Sequence, residues 1–185
     1  MYTDGSKSEL GVGFGIYSEQ LSVSHKLPIT SSIYTAELYA IFESLNILNQ
    51  SIENRFTIFS DSLSCLQGIQ QLNSNHPIIS DIQTKLIELQ RYNIFVDFCW
   101  VPSHINICGN EQADKLAKAG SNLDSTLYFN KVHFEDDYPH INTKVKEKWS
   151  SPSPSRSEGG ISLRTTSPQF IRPTYRRYDG TITFI

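Results

Sequence analysis

The sequence predicts an α/β domain with a mixed sheet, built from elements in the order βββαβααβα. Apolar residues recur with period two over residues 1–28, and at helical spacing over long stretches from Ile33 onward. Twice along the chain a short apolar strand is followed directly by an amphipathic helix, which favours parallel crossovers. The predicted sheet therefore joins an antiparallel meander to parallel strands.

The first three strands are predicted within residues 1–28. "MYTDGS" opens the chain, "ELGVGFGIYS" alternates Gly with Val, Phe and Ile, and "LSVSHKLP" alternates apolar and polar residues. This alternation is typical of strands that bury one face. The glycines of "GVGFG" do not favour a nucleotide loop, because their spacing is not G-x-G-x-x-G and no Lys-Ser/Thr helix start follows.

Six further elements are predicted along residues 33–120. They are a helix over 33–50, a strand over 55–61, helices over 62–72 and 79–89, a strand over 93–102 and a helix over 109–120. Thr30 to Ser32 are available as the N-cap of the first helix, and Pro102 stops the last strand.

Composition argues against several classes of protein. The three cysteines (Cys65, Cys99, Cys108) form no C-x-x-C pair, so the sequence supports neither a disulfide framework nor a zinc module. We expect all three to be reduced and buried. No apolar run approaches the ~20 residues of a membrane helix, and residues 1–7 lack a signal-peptide core. We expect an intracellular protein, nuclear or cytoplasmic and not secreted.

Charge is unevenly distributed. Residues 1–120 carry 7 Lys/Arg against 12 Asp/Glu, a net charge of −5, whereas the remainder carries 9 against 7, a net charge of +2. Past Asn122 the apolar pattern decays, and 150–160 is rich in Ser, Pro and Gly. We therefore predict a folded domain over 1–122, an extension over 123–149 and a disordered tail over 150–185. A hairpin about Asp179-Gly180 is a further expectation for that tail.

Four acids occupy positions where the fold does not require them. They are Asp4, Glu37, Asp61 and Asp114. Each has a simpler explanation on its own: a turn at Asp4-Gly5, a dipole contact for Glu37, a helix cap for Asp61, or an i,i+4 pair of Asp114 with Lys118. Acids at the carboxyl ends of parallel strands can also converge on one crevice.

The segments around these acids decide between separate local roles for each acid and a shared site. "YTDGS", "TAELYA", "FSDS" and "VPSHINICGNEQAD" occur in this order, and His104 precedes Asp114 by ten residues. Together they resemble the motifs of ribonuclease H domains in non-LTR retrotransposon polyproteins of the jockey and R1 types. The resemblance covers residues 1–122. It implies a ribonuclease H-like fold, a mixed five-stranded sheet with helices on both faces.

The resemblance also implies roles for single residues. Asp4, Glu37, Asp61 and Asp114 match the carboxylates that bind two Mg²⁺ ions, for which Mn²⁺ can substitute. His104 matches a mobile-loop histidine near the reacting phosphate. Gly5, Ser6 and Ser62 are weaker candidates for contacts to the substrate, an RNA:DNA hybrid whose RNA strand is hydrolysed. Gly109 and Asn110 match the residues that open the last helix, and Glu111 matches an acid near the leaving group in some relatives.

The chemistry agrees with this ligand set. Two Mg²⁺ ions about 3.5 to 4 Å apart can activate the attacking water and stabilise the leaving oxygen. Magnesium takes hard oxygen ligands, which accounts for carboxylates without cysteine. A neutral-pH proton carrier such as His104 adds acid-base assistance.

Two other interpretations stay open. Only three residues precede Asp4, so the first strand is expected to lack about half its length, and the chain to be a fragment of an element with a reverse transcriptase in cis. A catalytically inert remnant that at most binds nucleic acid is therefore the alternative. A transposase or integrase-type nuclease is less favoured, because those proteins lack the Glu of "TAELYA".

Overall fold

The computed structural model describes residues 1–48, 53–72 and 74–124 and, as single positions, Thr126, Asp136 and Thr143. The strands are β1 (Tyr2–Ser8), β2 (Gly11–Ser18), β3 (Leu21–Leu27), β4 (Arg55–Ser60) and β5 (Phe95–Trp100). The helices are α1 (Ile33–Leu48), α2 (Leu63–Gln70), α3 (Pro77–Arg91) and α4 (Cys108–Ser121). The predicted element order is confirmed.

The five strands form one sheet in the order β3-β2-β1-β4-β5. β1 and β3 both pair antiparallel with β2, which gives the predicted meander. β4 pairs parallel with β1 on one side and with β5 on the other. The sheet is therefore mixed, and the ribonuclease H-like fold class predicted from the sequence is confirmed.

The two faces of β2 bury different partners. Val12, Phe14 and Ile16 are fully buried in the apolar core that includes most of α1. The alternate glycines contact α4, and a Cβ added to Gly15 would lie 2.4 Å from the carbonyl oxygen of Ala113. Helices thus cover both faces of the sheet, and the Gly alternation of "GVGFG" allows the backbone of α4 to approach β2 closely.

We predict that Gly15→Ala destabilises the protein strongly. The added methyl group would meet backbone atoms of α4, which cannot move away as the end of a side chain can. Such overpacking typically costs about 1–3 kcal/mol or more. A suitable control is Gly68→Ala, whose Cβ would meet only the side chains of Tyr34 and Ile79. Urea unfolding curves should show a much larger loss for Gly15→Ala, and equal losses would contradict this account.

The first strand is longer than expected. β1 continues for four residues after Asp4 and pairs with β2 along all seven of its residues, including Asp4 with Gly15. The expectation of a strand of half length is therefore wrong, because β1 extends in the C-terminal direction. Its ladder with β4 is short, with Tyr2 and Thr3 as the paired residues. The Met1 ammonium adds a hydrogen bond to the carbonyl oxygen of Thr57 at 2.8 Å.

Two smaller expectations need correction. β5 is shorter than the predicted 93–102, since Asn93 adopts a positive φ of 59° in the turn that follows α3. The cysteines are free, but only Cys65 is buried, while Cys99 is intermediate and Cys108 is exposed. Cys108 is the first residue of α4, where the helix begins at the surface.

Residues 1–48, 53–72 and 74–124 contain no helix that is both long and apolar enough to cross a membrane. The predicted disorder from 150 onward and the hairpin about Asp179-Gly180 lie outside the described residues. The domain boundary at residue 122 stays a prediction.

Candidate active site

A cleft of about 320 Å³ opens beside the ends of β4 and β5 and the start of α1. It is lined by Asp4, Gly5, Ile33, Tyr34, Glu37, Asp61, Ser62, Ser64, Ser103, His104 and Asp114. The crevice at the carboxyl ends of parallel strands is the common place for sites in α/β sheets. All four acids predicted from the sequence and His104 lie along it.

Three of the acids come together. One carboxylate oxygen from each of Asp4, Glu37 and Asp61 can be chosen so that all lie within 4.8 Å of one another. Asp4 belongs to β1, Glu37 to the second turn of α1, and Asp61 is the first residue after β4. Asp4 and Glu37 are only 6% and 7% exposed. Burying like charges this closely is unfavourable unless something neutralises them.

The simpler explanations fail for these three acids. Asp4 and Gly5 lie inside β1 and form no turn. The first residue of α1 is Ile33, so Glu37 lies beyond its first turn and is buried. Asp61 does not cap α2, because the N-cap position belongs to Ser62. None of the three positions is accounted for by local structure.

Asp61 is held by two side chains from other elements. Asn110 Nδ2 of α4 donates to Asp61 Oδ2 at 3.0 Å, and Trp100 Nε1 donates to the Asp61 carbonyl oxygen at 3.1 Å. Asn110 is itself only 3% exposed. Gly109, its neighbour, lets α4 begin against the ring of Tyr2, since a Cβ there would lie 2.2 Å from a ring carbon. These contacts fix both the backbone and the carboxylate of Asp61.

Asp114 differs from the other three acids. It lines the same cleft, but Lys118 Nζ donates to its Oδ2 at 2.7 Å, and Asp114 is not part of the close three-carboxylate group. The predicted i,i+4 pair is therefore present. The hydrogen bond from Lys118 to Asp114 raises the pKa of Lys118.

The close approach of the acids changes their proton affinities. Burial raises the pKa of Asp4 from 3.8 to about 8, with further increases from the nearby charges of Asp61 and Asp114. Burial and the charge of Asp4 raise the pKa of Glu37 well above its usual value, although the backbone N–H of Gly5 donates a hydrogen bond to it. Without a bound cation, Asp4 and Glu37 therefore favour their protonated forms near neutral pH.

The cluster fits a divalent cation. Its donors are all carboxylate oxygens, which Mg²⁺ and Mn²⁺ accept. Within the part of the chain that the structure describes, Glu37 Oε2 is buried without a hydrogen-bond partner. Buried polar atoms are usually paired, so an unpaired oxygen on a member of this three-carboxylate group fits a site that binds a cation.

Comparisons with known proteins agree with this geometry. A family model described as RNase H matches residues 1–122. The chain belongs to the RNase H family. It is 26% identical to human ribonuclease H1 over 142 aligned residues, which cover 65% of this chain and 49% of that protein. It is 33% identical over 128 residues to the Pol polyprotein of equine infectious anemia virus, covering 64% of this chain and 10% of the polyprotein. The chain thus spans about half the length of ribonuclease H1.

Only some of the residues that were weaker site predictions line the cleft of this RNase H chain. Gly5 and Ser62 line the cleft, whereas Ser6 and Glu111 are not among its lining residues. His104 is exposed at the cleft with a positive φ of 57°, and Asn106 in the same loop has a φ of 62°. Two non-glycine residues in the left-handed region make this loop conformationally unusual.

Sequence reasoning missed several features of the RNase H site. It assigned Asn110 to the start of a helix but not to Asp61, 49 residues away. It also missed the cleft residues Ile33 and Tyr34 on the first turn of α1. The available signal was the i,i+4 spacing of Asn110 and Asp114, which puts both side chains on one face of the predicted helix.

Proposed function

We propose that this chain hydrolyses the RNA strand of RNA:DNA hybrids with divalent cations bound to Asp4, Glu37 and Asp61. The observation that carries the proposal is the close group of three carboxylates with an unpaired, buried Glu37 oxygen. Membership of the RNase H family supports the substrate class. Two Mg²⁺ ions bound there would activate water and neutralise charge on the reacting phosphate.

The residues around the cluster have distinct parts in this proposal. Asp4, Glu37 and Asp61 bind the cation, and Asn110 keeps the Asp61 carboxylate oriented toward it. Asp114 is the fourth proposed ligand, and its carboxylate would have to exchange its contact with Lys118 for the cation. In either contact the Asp114 carboxylate lies beside a positive charge.

Substrate contacts are proposed along the same cleft. Gly5 and Ser62 line it and can approach the minor groove, where the 2′-hydroxyl distinguishes RNA from DNA. Ser6 lies next to Gly5 on β1 and is a weaker candidate. The net charge of −5 over residues 1–120 belongs largely with the acidic site and does not argue against a nucleic-acid substrate.

The direct test is cleavage of a hybrid duplex labelled first on one strand and then on the other. We expect the RNA strand to be cut in Mg²⁺ or Mn²⁺, the DNA strand to stay intact, and EDTA to stop the reaction. Absence of cleavage, with hybrid binding retained in a mobility-shift assay, would favour the alternative of an inert nucleic-acid-binding remnant.

We predict that His104→Ala slows hydrolysis and leaves cation affinity unchanged. An imidazole at the cleft mouth can move a proton to or from the reacting groups, and such assistance is worth about 10² to 10⁴-fold. Single-turnover rates and Mn²⁺ titration of the same protein samples would measure both quantities. Loss of Mn²⁺ affinity in this variant would instead identify His104 as a ligand.

We also propose a retroelement context for the chain. The motifs resemble those of non-LTR retrotransposon polyproteins, and the match to a retroviral Pol polyprotein is consistent with a reverse transcriptase in cis. In such an element the proposed activity would remove template RNA after synthesis of the first DNA strand. Coding sequence for a polymerase upstream of residue 1 would test this context.

A further inference from the structure

Side chains form a cap at the N-terminus of α1. The hydroxyl of Ser32 accepts a hydrogen bond from the backbone N–H of Thr35 at 3.0 Å and donates to Thr35 Oγ1 at 2.9 Å. This is the usual arrangement of a serine N-cap, and it satisfies one of the N–H groups left free at a helix start.

Asp136 completes this cap from a distant part of the chain. Its Oδ1 accepts from the backbone N–H of Ser32 at 3.1 Å, and its Oδ2 accepts from the hydroxyl of Thr35 at 2.5 Å. Asp136 is 9% exposed and lies 101 residues beyond Thr35. A buried carboxylate needs donors, and an anion at a helix N-terminus is stabilised by the helix dipole.

The chain after α4 has a second contact with the domain. Lys26 of β3 donates through Nζ to the carbonyl oxygen of Leu123 at 2.8 Å, and Thr126 forms a parallel bridge with Lys26. Leu123, Thr126 and Asp136 all lie beyond residue 122, where the RNase H match ends. Described positions in this segment therefore contact both the edge strand and α1.

The capped turn is adjacent to the acidic cluster. Glu37 follows Thr35 by two residues, and β1 packs directly against this turn at Gly5, where a Cβ would lie 2.7 Å from the Glu37 nitrogen. A displacement of about 1 Å at the start of α1 would move Glu37 relative to Asp4 and Asp61. Ligand geometry tolerates only about half that displacement.

We propose that Asp136 is a positioning residue that fixes the first turn of α1 and thereby holds Glu37 in the acidic cluster. The segment beyond residue 122 then belongs to the functional unit. This inference rests on the proposed function for its cation-binding and rate measurements, but not for its structural ones.

The test compares Asp136→Asn with Asp124→Asn in the full chain. Both changes remove one carboxylate from the same segment, but Asp124 is exposed. Thr35→Val is a second variant that removes the hydroxyl donor to Asp136 and the acceptor for Ser32 Oγ, and keeps a β-branched side chain. Amide exchange and the amide chemical shift of Glu37 report on the turn without cation, and Mn²⁺ affinity, kcat and KM report on the site.

We expect Asp136→Asn to speed exchange of the α1 first-turn amides about tenfold or more and to shift the Glu37 amide. Mn²⁺ affinity should fall about 10-fold to 100-fold, as for other residues that orient a ligand. The value of kcat should fall while KM for the hybrid stays constant, since neither Asp136 nor Thr35 lines the cleft. Thr35→Val should show smaller effects of the same kind, and Asp124→Asn none.

Unchanged exchange and an unchanged Glu37 shift in Asp136→Asn would overturn the inference. So would faster exchange with full Mn²⁺ affinity, because the cap would then be structural only. If the unmodified chain neither binds Mn²⁺ nor cleaves a hybrid, the proposed function fails, and the exchange and chemical-shift results still decide whether Asp136 positions Glu37.

Discussion

Replacing Asp4 by asparagine should abolish hybrid cleavage and raise the melting temperature of the cation-free protein. The loss of cleavage follows from removing a carboxylate at the centre of the proposed cation site. The gain in stability follows from removing a carboxyl whose ionisation is opposed by its burial and by the charges of Asp61 and Asp114. The two effects have opposite signs, so general damage to the fold cannot produce both.

The stability effect of Asp4→Asn should depend on pH. A carboxyl whose pKa rises on folding contributes stability that is fully present below its unfolded pKa of 3.8 and is lost as pH rises through about 8. The difference in melting temperature between Asp4→Asn and the unmodified protein should therefore grow from pH 4 to pH 8, measured with EDTA. Asp124→Asn, at an exposed position, should show no such trend. A variant that melts lower at pH 8 would contradict the conclusion that burial and nearby charges disfavour ionised Asp4.

Replacing Asp61 by asparagine should also abolish cleavage, with little change in fold. The amide has the size of the carboxylate, and its oxygen can still accept the hydrogen bond from Asn110. The charge needed to bind the cation is lost, and a neutral oxygen is a much poorer ligand for Mg²⁺. Circular dichroism should show the same secondary structure, while single-turnover cleavage falls to background.

The matched control for Asp61 is Asp97→Asn. Asp97 lies on β5, where its carboxylate is 3.7 Å from Arg55 and does not line the cleft. Arg55 is exposed and the pair is long, and surface ion pairs contribute about 0–1 kcal/mol, so this change should have little effect on fold and none on rate. Cleavage by Asp61→Asn at a rate similar to that of Asp97→Asn would remove Asp61 from the site.

Local patterns were sufficient to predict most of the fold. Period-two alternation over 1–28 predicted the meander, and strand-then-helix order over 55–120 predicted the parallel crossovers. The boundaries were less accurate because turns decide them: Asn93, with its positive φ, delays β5 until Phe95. The sequence predicted the Gly alternation of β2 as a strand pattern but not its cause, which is the close approach of α4.

The acids of the candidate site could be predicted from the sequence, but the residues that orient them could not. Asp4, Glu37 and Asp61 could be chosen because their flanking motifs resemble a known family, and the structure brings these acids together. The partners that orient them could not be chosen in this way. Asn110 contacts Asp61 across 49 residues, and Asp136 contacts Thr35 across 101, so both contacts depend on how the completed fold packs.

The measurement that tests the central claim most directly is calorimetric titration of Mn²⁺ into the unmodified protein and into Asp61→Asn. The account predicts saturable binding to the unmodified protein and binding at least about tenfold weaker to the variant, because one of the four proposed carboxylate ligands is lost. Equal Mn²⁺ affinity in the two proteins would contradict the assignment of the acidic cluster as the cation site.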